Sequence, residues 1–327
     1  MAVPFDSITA TTLQLIRRRL ADNIFKASNF AAWMLARGRV QMVTGGKFIQ
    51  EPLMYATNGT VKSYAGYERL NVAPTDELTA AQYSYRQAAV SIGISGLEEL
   101  ENDGPEAIFK MLKAKITNAE MSLKQFFDEK LLAETSTKDL TRDFLGLDEI
   151  IEDLVVGSQS TVGGINRAVE TWWGNTFIDG TGTALGSSTT LLTELLTNAY
   201  HTIKKNHPVA CDLILMDQTM YERYENDSRE KLRLSDTKLA DLGFENQKFK
   251  GATMMWNENI AAPVSTEHNI YFISTEFLRL CLHRKRNFVM GNFVSPYDQD
   301  AKVTQILVAG QLTCNNSRFQ GVLRTDD

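Results

Sequence analysis

The chain has 327 residues, enough for one large or two ordinary domains around a proper apolar core. Hydrophobic residues at 43% exclude an intrinsically disordered chain, and a net charge of -6 excludes a protein whose main task is to grip nucleic acid through its phosphates. Cys211, Cys281 and Cys314 are too few and too scattered for a disulfide framework or a zinc site, and they fit a reducing compartment.

The opening MAVPFDSITATTL has neither the basic segment nor the apolar run of a signal peptide. No apolar stretch approaches the length needed to cross a bilayer, so folding in the cytoplasm is expected. From Ser7 to about Arg37 the pattern is helical, with Leu13, Ile16, Leu20 and Ile24 at three- and four-residue spacing and Arg17, Arg18, Arg19 and Asp22 mostly off that face. A stripe this narrow must lie on the chain's own domain or on a neighbour. The three arginines read either as a solvated face or as partners for acidic groups of another copy or for a genome.

Between Gly38 and Ser95 the reading changes to extended chain. RVQMV and KFIQEPLMYA flank Thr44-Gly45-Gly46, and Asn58-Gly59 precedes VKSYAGYERL; both Gly dipeptides signal hairpin turns because they favour positive φ. The ribbon is unusually polar, and a two-stranded ribbon is marginal alone in water, so a partner surface is expected. YSYRQAAVSIGIS reads as a further strand.

From Pro105 to about Glu134 the spacing predicts a long helix, with Phe109, Leu112, Ile116, Ala119, Leu123 and Phe126 as its apolar stripe. At 1.5 Å per residue such a helix is roughly 45 Å long, more a strut than an element of a compact domain. Beyond Thr135 the chain is mixed α/β: GLDEIIEDLV as a short helix, VGGINRAVETWWGN as a Gly-containing turn region, and FIDGTGTALGSSTT as a loop. Helices are expected from Leu191 to Lys205 and around Tyr221 to Lys231, with CDLILMD between them as a buried strand. GATMMW, NIYFIS and FLRLCLH are strands, and Ala301 to Leu323 is β-rich.

No constellation for chemistry assembles from these residues, so no catalytic, cofactor-binding or metal-ligating residue is assigned. Gly46-Lys47 resembles the end of a P-loop, but Phe48 replaces the metal-binding hydroxyl and Gln41 the first glycine. GTGTALG has the wrong spacing for a dinucleotide fingerprint. His201, His207, His268 and His283 do not fall at metal-ligand spacings, and Asp298 with Asp300 does not define a cation site. Trp172 and Trp173 read as a core anchor with a partly exposed neighbour, or as an aromatic contact between subunits.

The order of elements, arm, polar hairpin, strut helix, α/β region and β-rich close, resembles that of the tailed-bacteriophage major capsid proteins of the Hong Kong 97-like fold. LLTELLTNAYHTIKKNHPVACDLILMDQTMYERYEN, FKGATMMWNENI followed by EHNIYFISTEFLRL, and SPYDQDAKVTQILVAGQLTCNNSRFQGVL carry the resemblance, and VGGINRAVETWWGN is similar to a stretch in a subgroup of these proteins. The resemblance implies an α+β fold with an N-terminal arm at 1–37 and an E-loop hairpin with its flanking strand at 38–95. It further implies a peripheral domain including the spine helix at 96–145 and 286–327, and an axial domain at 146–285.

It also implies a non-enzymatic head protein that self-assembles into hexamers and pentamers of an icosahedral shell around double-stranded DNA, without sequence-specific binding, cofactor or membrane. The protein would be made in the bacterial host cytoplasm and reside in the virion. Because the sequence opens almost directly on the arm, a separate scaffolding protein is expected, together with a portal. Lys47 and Lys62 lie where some members crosslink to a neighbour, but no partner Asn or promoting acid is matched here and no crosslink is expected. Leu13, Ile16, Arg17 and Leu20 of the arm, Phe48, Met54 and Tyr55 of the hairpin, and Trp172 and Trp173 are the expected intersubunit contacts. The alternatives are an encapsulin-like compartment subunit and an α/β phosphate-binding enzyme. Deleting residues 1 to 30 is expected to leave a folded domain that no longer forms shells.

Overall fold

The computed structural model describes residues 29–73, 75–101, 111–181, 192–205, 211–229, 247–260 and 267–326. Leu13, Ile16, Arg17 and Leu20 lie outside them. The chain opens with helix α1 (Asn29–Ala36), then strands β1 (Val40–Val43), β2 (Phe48–Met54), β3 (Leu78–Ser84) and β4 (Arg86–Ser95). Helices α2 (Gly96–Glu101), α3 (Met111–Leu132) and α4 (Leu147–Ile150) follow, then a miniature hairpin of β5 (Thr161–Val162) and β6 (Ile165–Asn166). The α/β region comprises β7 (Thr176–Gly180), α5 (Leu192–Lys205), β8 (Leu213–Met216), α6 (Gln218–Arg229), β9 (Lys248–Phe249), β10 (Ala252–Trp256) and β11 (Glu267–Ile273). Four strands close the chain: β12 (Leu278–His283), β13 (Val289–Met290), β14 (Ala301–Cys314) and β15 (Gly321–Asp326).

Two sheets organise the molecule. One runs β7-β15-β11-β8-β10-β9, and its period-2 alternation puts each face into a different core. Ile214, Met216, Ile270, Phe272 and Leu323 face α5 and α6, where Leu192, Leu196, Ala199, Tyr200 and Ile203 form the buried stripe of α5 at helical spacing. Leu213, Leu215, Tyr271, Ile273 and Val322 face the other way, into the larger core. β8 is therefore buried on both faces, which is why LILM carries no polar residue.

The second sheet has the order β1-β12-β14-β13, with β4 also paired to β14. β4 and β13 both pair with Ile306 and Leu307, so they occupy opposite edges of β14. α3 lies over this sheet through Ala119, Leu123, Phe127 and Leu131, an unbroken four-residue row. Phe127 meets Phe144 edge to face at 4.9 Å. Sequence spacing places Phe126 in that stripe; instead it is 37% exposed, because a row of four-residue steps drifts around the helix and reaches Phe127. The described part of α3, 22 residues, is roughly 33 Å long.

Three further expectations differ from the structure. β1 and β2 are not a hairpin around Gly45-Gly46: β1 pairs parallel with β12, while β2 pairs antiparallel with β3 across residues 55–77. The glycines instead let the chain step from the sheet edge into the ribbon, with Gly46 at φ +113°. GLDEIIEDLV forms only the single turn of α4, and the Glu149 and Ile150 carbonyls, which a longer helix would use in its own ladder, instead accept the Arg167 guanidinium at 2.9 and 2.8 Å. The sheets also do not divide the chain at 285: β12 joins the β14 sheet, and β15 crosses into the sheet of β8 and β11.

Asp128, 1% exposed on α3, fastens these parts together. Its Oδ1 accepts the N–H of Ala31 at 3.2 Å and its Oδ2 accepts the Asn257 side-chain N–H at 3.2 Å. α1 is thus part of the core, with Phe30 and Met34 fully buried, and a truncation through residue 30 would remove a core phenylalanine.

Burial also governs the thiols. All three cysteines are buried, and burial pushes the Cys211 and Cys314 thiols up to about 12 and raises that of Cys281. At about pH 8 each therefore stays a neutral, shielded thiol. The native protein is expected to resist alkylation by iodoacetamide, whereas the denaturant-unfolded chain takes up three labels by mass spectrometry.

Candidate assembly surface

The β2–β3 ribbon is a two-stranded sheet of its own, and its alternation explains how it is held. Ile49, Glu51 and Leu53 of β2 face inward together with Ala81 and Tyr83 of β3, while Phe48, Gln50, Pro52 and Met54 face out. The inward face sits on β14: the Tyr83 hydroxyl donates to the Cys314 carbonyl at 2.7 Å, and the Thr313 hydroxyl donates to Glu51 at 3.1 Å. The β5–β6 hairpin lies against the ribbon, with the Gln82 N–H donating to the Gly163 carbonyl at 2.8 Å. Gly163 and Gly164 both turn with positive φ, and a Cβ on Gly163 would stand 2.8 Å from that of Ala81, so glycine is required there on both counts. The partner surface expected for the ribbon is thus supplied in part by its own subunit.

The support ends where the strands end. Residues 55–77 form a long connection in which Val61, Tyr64, Tyr67, Leu70 and Val72 are all exposed, Tyr67 completely and Val72 to 91%. Local bonds shape it: the Asn58 side chain accepts the Thr60 N–H at 2.8 Å, and Lys62 donates to the Arg69 carbonyl at 2.7 Å. None of these bonds buries the apolar side chains. Five exposed large apolar residues in one loop are more than isolated surface hydrophobics, and such patches mark interaction surfaces.

Beneath the ribbon, the segment 147–175 is held by Arg167, whose side chain is completely buried. Its guanidinium donates to the carbonyls of Ser160 at 2.8 Å, Ile150 at 2.8 Å and Glu149 at 2.9 Å, and to the Asn175 side chain at 3.2 Å. Glu152 neutralises it at 3.3 Å. Burial lowers the Arg167 pKa and Glu152 opposes that shift. Only the five-donor fork of arginine can satisfy so many acceptors from one side chain.

The expected contact residues separate accordingly. Met54 is 74% exposed, and Phe48 and Tyr55 are exposed at the ribbon's outer face. Trp172 is half-buried, lying against Tyr55 at 5.7 Å between ring centroids and donating its indole N–H to the Glu170 carboxylate at 2.6 Å. Trp173 is corrected: at 2% exposure, with its indole N–H donating to the Val162 carbonyl at 3.2 Å, it is a core anchor with no face for a neighbour. The residues that sequence reading missed are the loop apolars from Val61 to Val72. Their signal was present in VKSYAGYERLNV, where aromatic and aliphatic residues recur without strand or helix period. A second missed group is the far end of the β4–β14 pair, where Leu97, Leu100, Phe293, Val294 and Tyr297 are exposed. Among the described residues, no group of three or more His, Cys, Asp or Glu converges as a metal site.

No protein-family model and no curated protein matches this sequence. Solved structures do match. The capsid asymmetric unit of cyanophage A-1(L) is 15% identical, with a TM-score of 0.67 over 98% of this chain and 97% of that one. The capsid of cyanophage P-SCSP1u is 11% identical, with a TM-score of 0.60 over 97% and 94%. The capsid of a native GTA particle is 10% identical, with a TM-score of 0.58 over 96% of each chain. Over nearly its whole length, the chain has the Hong Kong 97-like fold of tailed-phage capsid proteins.

Replacing Arg167 by Ala should destabilise the folded chain by about 3–5 kcal/mol, since it removes the cation facing Glu152 and the donor to the Glu149 and Ser160 carbonyls and leaves a cavity where a completely buried side chain stood. Urea unfolding followed by tryptophan fluorescence measures this, and Arg167→Lys should recover only a minor part.

Proposed function

We propose that this chain is the major capsid subunit of a tailed-bacteriophage head, working by self-assembly and not by catalysis. The observation that carries this reading is the combination of a Hong Kong 97-like fold with a ribbon anchored at its base and apolar at its unsupported tip. A subunit that leaves such a loop in water is incomplete, and a second copy can complete it. Repeating that contact by symmetry gives hexamers and pentamers, and these close into an icosahedral shell.

In this reading the six-stranded sheet with α5 and α6, including β15, is the axial domain. α3 with the β4–β14 sheet is the peripheral domain, and residues 38–95 carry the E-loop. The net charge of -6 suits a container that encloses double-stranded DNA without holding any sequence. A separate scaffolding protein, a portal and the packaged genome are the partners of such a subunit.

Negative-stain electron microscopy of the chain, purified alone and after co-expression with its scaffolding protein, is expected to show closed shells or ring-shaped capsomers. A monodisperse monomer under both conditions would sink the proposal. DNA inside the shells separates a phage head from an encapsulin-like compartment, which would hold protein. Removal of residues 1–28, a cut that spares Phe30, should leave the thermal unfolding of the remaining domain intact while abolishing shells.

A further inference from the structure

Asn58-Gly59 stands just past the end of β2 and is the single Asn-Gly pair in the sequence. Both residues are exposed. The Asn58 Oδ1 accepts two hydrogen bonds from Thr60, from its N–H at 2.8 Å and from its hydroxyl at 2.5 Å. Two donors on one carbonyl oxygen stabilise negative charge there and leave the Cγ beside it electron-poor. The next nitrogen along the chain belongs to Gly59, where a Cβ would meet nothing within 4 Å. No side chain and no packed neighbour therefore screens that amide. An activated carbonyl carbon followed at once by an open amide nitrogen is the arrangement for an intramolecular acyl transfer.

We propose that Asn58 is a self-modifying site, converting through a cyclic imide to aspartate and isoaspartate. The Gly59 amide nitrogen gives its proton to hydroxide and bonds to the Asn58 Cγ, which puts negative charge on Oδ1 between the two Thr60 donors. The intermediate collapses by breaking the Cγ–Nδ2 bond, and that nitrogen takes a proton from water and leaves as ammonia. Water then opens the imide at either carbonyl carbon, so no oxidant or cofactor enters. Opening at Cγ restores the backbone with a carboxylate in place of the amide; its oxygen keeps the Thr60 donors, and the turn persists with an added negative charge. Opening at the main-chain carbonyl routes the chain through the side chain, one methylene longer, and removes the turn. The loop holds its own comparator: Asn71 also accepts the N–H two residues on, that of Ala73 at 3.1 Å, but Val72 follows it and its branched side chain crowds the attacking nitrogen. The reaction needs only this turn within one subunit, so it stands apart from the assembly reading.

The test incubates the purified full-length chain in mildly alkaline buffer made with heavy-oxygen water, followed by trypsin digestion in ordinary water and mass spectrometry. Peptide 48–62 reports Asn58 and peptide 70–86 reports Asn71. Peptide 48–62 is expected to take up one labelled oxygen and to split into two isomers on chromatography, while 70–86 stays unlabelled. Gly59→Ala, for which there is room, should stop the conversion over the same period. Thr60→Ala should slow it roughly three- to tenfold, the rate equivalent of one net hydrogen bond. Asn58 that stays intact in the folded chain while a synthetic 48–62 peptide converts overturns the proposal. Equal labelling of Asn71, or a Thr60→Ala rate equal to that of the wild type, overturns the activation assigned to this turn.

Discussion

A buried guanidinium is costly to desolvate, and it persists in a fold only when every donor finds an acceptor. Arg167 meets that condition by drawing the carbonyls of Glu149, Ile150 and Ser160, the amide of Asn175 and the carboxylate of Glu152 around one side chain. The acceptors come from stretches with little regular structure, so no ladder or helix would otherwise fix them. Ile150 also accepts the Ser317 hydroxyl at 3.4 Å, which connects this knot to the closing strands. The β5–β6 hairpin and Trp173 are positioned by it, and the β2–β3 ribbon rests on them.

From that foundation the subunit divides its work between rigid and unsatisfied parts. The six-stranded sheet, clothed by α5 and α6 on one face and the main core on the other, buries its strands so completely that β8 has no exposed residue. The β4–β14 pair and α3 extend from the same core but finish in exposed apolar side chains, and the ribbon does likewise at 61–72. Asp128 links α1, α3 and the turn after β10 through its two carboxylate oxygens. Rigid bases with unsatisfied tips are what repeated contact between identical copies requires: the base sets direction and the tip supplies apolar area.

Much of this was legible in the residues. The stripe of α5, the fully apolar β8 and the long α3 announced themselves because local period and burial agree there. The Asn58-Gly59 turn also appeared, as a side-chain-capped turn within the long loop. Trp172 and Trp173 were ambiguous, since two adjacent tryptophans carry the same sequence signal whether one or both are buried. Gly45-Gly46 misled because a glycine pair permits a hairpin without requiring one; β12, more than two hundred residues away, competes for β1 and wins.

The sequence by itself determined the main helices and strands and the apolar faces of most of them, the stripe of α5 and the fully apolar β8 above all. Its ordering of elements was enough to resemble one fold family, because hydrophobic period is a local property that each segment states alone. Only the tertiary structure decided that β1 joins β12, that β15 crosses into the other sheet, and that Trp173 is sealed while the 61–72 loop stays bare. Strand partnership and side-chain exposure are pairwise properties: they depend on what another part of the chain brings to the same place, and no single segment encodes its partner.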